Sequence, residues 1–420
     1  MRIERYLQPP APAPASAGPE PLARRLAAAP WLALGFRPFF LTAALMGALW
    51  LPLWLIIYLH GVPLPLAADP IAWHAHELVF GLAAAVLAGF LLTAARNWIR
   101  GQPGSTRPSA NGTKSPTPSG LPLLGLLGLW VAGRVVLLIG DVLPPALVLL
   151  VDVAFLPTLS VALARPLLRA KNRRNYAFPM LLLVLAGLNL VFHLGDYALR
   201  RQAITASIDL VAVILVLMGG RVIPFFTKNA LPGAKVRMPA SLAWTATILT
   251  ATTLLAPLLP NPLGPVIFIG AGVANLVRLA AWSPWSTLGT PLLWVLHLGY
   301  AWIGVAQLLR GLGHWVLALA GTAPMHALTV GALCGLILGM MARVSLGHTG
   351  RPLIAPRAMT VAFTLVFVAA LARAILPLAA PSLMTASLLV SGSALAVAFA
   401  LFVVVYWPIL TRPRADGAPG

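Results

Sequence analysis

Trp73-His74-Ala75-His76-Glu77 sets three side chains that can bind a metal or carry a proton within four residues, at the head of an apolar run from Leu78 to Ala95. The whole chain holds only 8 His and 9 Asp+Glu in 420 residues, so this concentration carries information. Neutral imidazole nitrogens and carboxylate oxygens are metal ligands, and ionisable groups in a membrane span mark function by default. The structural alternative is an interfacial Trp-His belt at a helix entrance. On a regular helix, residues two apart point nearly opposite ways and residues three apart share a face. His74 is therefore expected to pair with Glu77 while His76 looks elsewhere. Unless the entrance is unwound, one ion cannot take both histidines, and the motif predicts more than one centre.

The elements that position these residues follow from composition. The chain is 60% hydrophobic and 9% charged, far more apolar than a soluble domain. Segments of about 20 apolar residues cross a bilayer as helices. Twelve are expected, at about 37–60, 72–95, 121–140, 143–165, 177–197, 203–223, 239–258, 263–281, 288–309, 325–343, 357–378 and 383–408. The fold class is thus all-α: a polytopic transmembrane helix bundle of about 12 spans in one domain over residues 31–410. A Pro/Ala-rich arm at 1–30 and a loop at 101–120 are expected to be flexible, with a short tail at 411–420. No uninterrupted apolar core precedes Trp31, so the first span, not a cleaved signal, is expected to direct insertion.

The net charge of +20 is explained by where it falls. With both termini cytoplasmic, 24 of the 29 basic residues lie on the cytoplasmic side. That is the positive-inside bias, not a nucleic-acid footprint. Depth then becomes an argument about the histidines. His74, His76 and Glu77 open the second span at the outer face, His193 ends the fifth, His326 opens the tenth, and His297 lies inside the ninth. Seven of the eight histidines are expected in the outer half or on the outer surface, with His348 alone on the cytoplasmic side. His60 and His314 read as solvated interfacial residues.

Arg134 and Asp152 lie at matching depth on either side of a tight turn and are expected to form an ion pair. An internal echo links two spans: His76, Gly81, Ala85 and Gly89 recur as His326, Gly331, Gly335 and Gly339, offset by 250 residues. Small residues every four positions form a ridge against which another helix or a flat ring can pack closely. Cys334, the one cysteine, excludes an internal disulfide, a four-Cys iron-sulfur site and covalent haem attachment. With Met340 and Met341 it offers soft copper ligands, but these lie away from the histidine layer.

Taken together, several motifs resemble the NnrS family of bacterial membrane proteins. They are Gly35-Phe36-Arg37-Pro38-Phe39-Phe40, Trp73-His74-Ala75-His76-Glu77, Gly89-Phe90-Leu91-Leu92-Thr93-Ala94 with Asn97-Trp98, Asn172-Arg173-Arg174-Asn175, Asp209 before Gly220-Arg221-Val222-Ile223-Pro224, and Met325-His326-Ala327. They occur in order over about residues 31 to 410. The resemblance implies a multi-pass protein of the bacterial cytoplasmic membrane with non-covalent b-type haem and copper, tied to nitric oxide metabolism, denitrification and relief of nitrosative stress. Its partners would be the lipid bilayer and nitric oxide or its metal adducts. The metal-ligand candidates, chosen by depth, spacing and the echo, are His74, His76, His193, His297 and His326; Glu77 would orient a ligand or move protons. The signatures of haem-copper oxidases are missing, so their mechanism is not carried over. Two alternatives stay open: a twelve-helix secondary transporter with a midplane site, and a haem- or copper-handling scaffold without turnover.

Overall fold

The structure, a computed structural model, describes residues 21–100, 116–319 and 321–418. The expected proline-rich stretch up to residue 20, most of the loop at 101–120 and the last two residues lie outside the described residues. Among the described residues, twelve helices are long and apolar enough to cross a membrane: Phe36–His60, Pro70–Ile99, Leu121–Leu138, Pro145–Arg169, Arg173–Leu194, Tyr197–Ala230, Ala240–Leu258, Leu263–Ala280, Pro291–Leu312, Ala323–His348, Arg357–Ala379 and Pro381–Thr411. These are spans 1 to 12. No strand occurs among the described residues, and the protein is an all-α, multi-pass membrane bundle. Even-numbered spans begin, and odd-numbered spans end, at one face, called here the histidine face; the opposite face carries most of the arginines.

The expected bounds agree within a few residues for most spans. Span 6 is the exception, running well past 203–223 at both ends. Its extensions carry Arg200, Arg201, Lys228 and Asn229, polar residues that continue a helix beyond the hydrocarbon layer. Asp196 caps its start by accepting from the Leu199 N–H at 2.8 Å. The arm expected to lack structure up to residue 30 carries a short helix at Leu22–Ala28.

Spans 2 and 10 form the centre: 78% and 89% of their most apolar windows are buried, against 22–72% for the other ten. They are the two spans joined by the 250-residue echo, and the small residues act as expected. A side chain at Gly89 would come within 2.9 Å of the Phe40 ring, and one at Gly331 would collide with the Trp302 indole. Both central spans also depart from α geometry at matched places. A π segment follows His76 at Glu77–Ala83 and another follows His326 at Ala327–Cys334. A third occupies Leu371–Ile375 in span 11. Such wide turns are rare and concentrate at functional sites.

Two polar assemblies fasten the remaining spans. In spans 7 to 9, Tyr300 donates to Asn275 Oδ1 at 2.6 Å, and Asn275 Nδ2 donates to Thr250 at 2.9 Å and Gln307 at 3.0 Å. Arg278 donates to the Tyr300 hydroxyl and the Val216 carbonyl, both at 3.2 Å. Arg278 is buried, with its guanidinium lying where Gly220 has no side chain. Interhelical hydrogen bonds of this kind hold membrane helices together where lipid gives no hydrophobic drive. At the arginine face, Arg37 closes the bundle by donating to the carbonyls of Leu410 at 3.1 Å and Arg412 at 2.7 Å, joining span 1 to the end of span 12.

Candidate metal centre

The head of span 2 is a short helix, Pro70–His76, started by a proline whose missing N–H costs nothing there. Asp69 caps it, accepting from Ile71 and Ala72 at 3.1 Å each. At Glu77 the π segment begins and the 3.6-residue repeat no longer fixes which residues share a face. His74 turns to span 1, where its ring stacks on Trp54 at 4.1 Å. His76 turns the other way, to spans 4 and 5. The expected divergence of the two histidines is therefore present, but the expected pairing of His74 with Glu77 is not. Glu77 lies beside His76, with 3.6 Å between His76 Nδ1 and Glu77 Oε1.

Asp152 in span 4 is the hub. Arg134 of span 3 donates through one nitrogen to Asp152 Oδ1 and through the other to Glu77 Oε1, so the expected Arg134–Asp152 pair exists and is shared with a second carboxylate. Asn189 Nδ2 donates to Asp152 Oδ2 at 2.8 Å, and His193 Nε2 lies 3.0 Å from the same oxygen. His76 Nε2 is 2.8 Å from Asn189 Oδ1 and 3.1 Å from Asp152 Oδ2. All of these side chains except His193, which is partly buried, are fully buried.

The protonation pattern follows from the partners. Nε2 of His76 and Nε2 of His193 meet only acceptor oxygens, so each carries its proton there, and each ring, when neutral, keeps its lone pair on Nδ1. His76 Nδ1 is buried with no hydrogen-bond partner, and so is Glu77 Oε2. With both carboxylates ionised, Arg134 cationic and both histidines neutral, the group has a net charge of one negative. Among the described residues, His76, Asp152 and His193 are also the one group of three metal-capable side chains whose donor atoms all lie within 4.8 Å of one another.

Elsewhere the histidines separate. His326 opens span 10 at the same face, its Nδ1 donating to the Thr322 carbonyl at 2.8 Å. His297 does not join the histidine layer. It sits near the start of span 9, with Nδ1 3.0 Å from the Leu293 carbonyl and Nε2 3.3 Å from Thr227, close to the end of span 6 and hence toward the arginine face. The depth expectation failed there because span 9 runs toward the histidine face, so its seventh residue is still in the far half. His60 and His314 are exposed, and His348 packs against Phe36 at the arginine face.

Asn189 and the role of Asp152 as the hub went unread in the sequence. One signal was available: Asn189 and His193 stand four apart on one helix and therefore share a face. The motifs at residues 172–175 and 220–224 serve as joints at the arginine face. Arg221 donates to Asn175 at 2.9 Å, Asn175 to Asn172 at 3.1 Å, and Asn172 to the Trp98 carbonyl at 3.0 Å.

These features define a polytopic helical membrane protein with a largely buried, carboxylate-anchored histidine cluster at one end of its central span. Comparison with known families places the chain more closely: it belongs to the NnrS protein family, which matches residues 30–414. No curated protein matches it.

Proposed function

We propose that the chain is a haem- and copper-binding protein of the bacterial cytoplasmic membrane that handles nitric oxide or its metal adducts. One observation carries the metal part of this reading. With the imidazole neutral, His76 Nδ1 and Glu77 Oε2 are two buried lone-pair atoms on neighbouring groups, neither with a hydrogen-bond partner and neither able to donate to the other. A metal cation satisfies both, and imidazole with carboxylate suits copper(II). His76 and Glu77 would hold it, with His193 as the third candidate. Asp152 then acts behind the rings, accepting the Nε2 protons and fixing their orientation, as outer carboxylates do in metal sites. Arg134 keeps both carboxylates in place. A bound copper or haem iron would supply the centre that takes nitric oxide. A small, mainly apolar cavity lies where spans 2, 6 and 10 meet, lined by Val79, Ala83, Ile208, Val211, Leu328 and Leu333.

The test is the metal content and visible spectrum of the purified protein. Wild type should contain copper and haem, and His76→Ala, His193→Ala and Glu77→Gln should each lower copper. His348→Ala should leave both contents unchanged, as should His297→Ala, whose ring is already engaged at the far face. A wild-type protein free of both metals would overturn the proposal.

A further inference from the structure

On the side of span 2 away from Asp152, a second cluster forms where spans 1, 2, 10 and 11 meet. His74 stacks on Trp54, which in turn stacks on Tyr58 at 5.0 Å. His74, His326 and Arg373 are within electrostatic reach of one another, and Tyr58 is within reach of Arg373. Because His326 donates from Nδ1 to the Thr322 carbonyl, its lone pair is on Nε2. Arg373 lies in the third π segment, and its Nη1 is buried with no hydrogen-bond partner.

The charge here is opposite to that around Asp152. The groups acting on one another are two imidazoles, a phenol and a guanidinium, giving one net positive charge with the histidines neutral. A guanidinium nitrogen buried without an acceptor is costly, and charged groups at membrane depth are normally paired. A bare metal cation would add to the repulsion. An anion removes it.

We propose that His74, His326 and Arg373 form a second binding site, separate from the Asp152 centre, for a ligand that presents a carboxylate or other oxyanion to the Arg373 guanidinium. The Nε2 lone pair of His326 is available to a metal atom of the same ligand. Two sources share this chemistry: the carboxylates of a metalloporphyrin, which rests on the function proposed above, and a free inorganic oxyanion, which does not.

The experiment uses purified full-length protein as wild type, Arg373→Lys and Arg373→Leu, with monodispersity and thermal unfolding as folding checks. Arg373→Gln replaces Arg373→Leu if the latter does not fold. Haem and copper per protein are measured, together with formate and nitrite affinity by calorimetry on haem-free protein. Loss of the guanidinium should lower haem content, or weaken oxyanion binding, by about tenfold or more, the worth of one charge-assisted hydrogen bond. Arg373→Lys should recover part of the loss, and copper should not change. A fall in haem alone identifies the porphyrin carboxylate, and a fall in oxyanion affinity alone identifies a free anion. A folded charge-removed variant with both unchanged overturns the site, and a parallel loss of copper overturns its separateness. If wild type holds neither metal, the function proposed above fails while the oxyanion measurement still decides this site.

Discussion

His74 and His76 stand two residues apart and leave span 2 in opposite directions, His74 to a 4.1 Å ring stack on Trp54 and His76 to a 2.8 Å contact between its Nε2 and Asn189. One helix thereby divides a pocket built on two carboxylates from one built on the Arg373 guanidinium. Substituting one histidine should empty one site only. His76→Ala is expected to cut copper severalfold and spare haem, and His74→Ala to do the converse, as read by elemental analysis and absorbance. Either change removing both groups together would mean a single shared centre.

Arg134 is buried between two carboxylates, and its removal strands both. Breaking a buried ion pair by deleting one partner costs about 3–5 kcal/mol, so Arg134→Leu should unfold at markedly lower temperature in detergent. Asp152→Asn should cost less, since Arg134 keeps Glu77. Arg134→Leu combined with Asp152→Asn should be more stable than Arg134→Leu alone. Thermal unfolding of the three proteins checks the order, and the reverse order would refute the shared pairing.

The π segment at Glu77–Ala83 sets the angle between the histidine head and the glycine ridge of span 2. Deleting Leu78 would return the segment to regular α geometry, removing the extra residue that the wide turn accommodates and changing which of its neighbours face the ridge. Helix content by circular dichroism should stay near wild type while copper is lost. Retention of copper would show that the wide turn does not position the site.

Tyr300→Phe leaves Asn275 Oδ1 without its donor and removes an acceptor from Arg278. An unsatisfied buried polar group costs about 1–3 kcal/mol. Gly220→Ala should cost more, because the new methyl occupies the position of the Arg278 guanidinium. Neither change should alter copper content, since these residues belong to a network distinct from the one around Asp152. Denaturation in detergent together with elemental analysis measures both.

The positive-inside bias predicts a cytoplasmic arginine face. Reporter fusions near Gln102 and near Ala68 should report opposite sides, with Gln102 inside. The same side for both would break the alternation of spans.

Much of this arrangement could be read from the residues because each piece was local or compositional. Twelve spans follow from runs of apolar residues, and the Arg134–Asp152 pair follows from equal distances to one turn. The glycine ridges follow from a four-residue repeat. What escaped was set by tertiary packing. Asn189, Asp152 and His193 meet His76 only because spans 2, 4 and 5 converge, and no spacing within one span encodes that. The misplaced Glu77 partner has a different origin: the expectation assumed 3.6 residues per turn, and the wide turn starts at that residue.

Arg37 has a consequence for how the chain is made. Its acceptors are the carbonyls of Leu410 and Arg412, and 373 residues of chain separate it from the first of them. During synthesis those carbonyls emerge last, so this contact forms only when translation is nearly over. The residue that opens span 1 thus also joins it to the end of the last span, across the full length of the bundle's sequence.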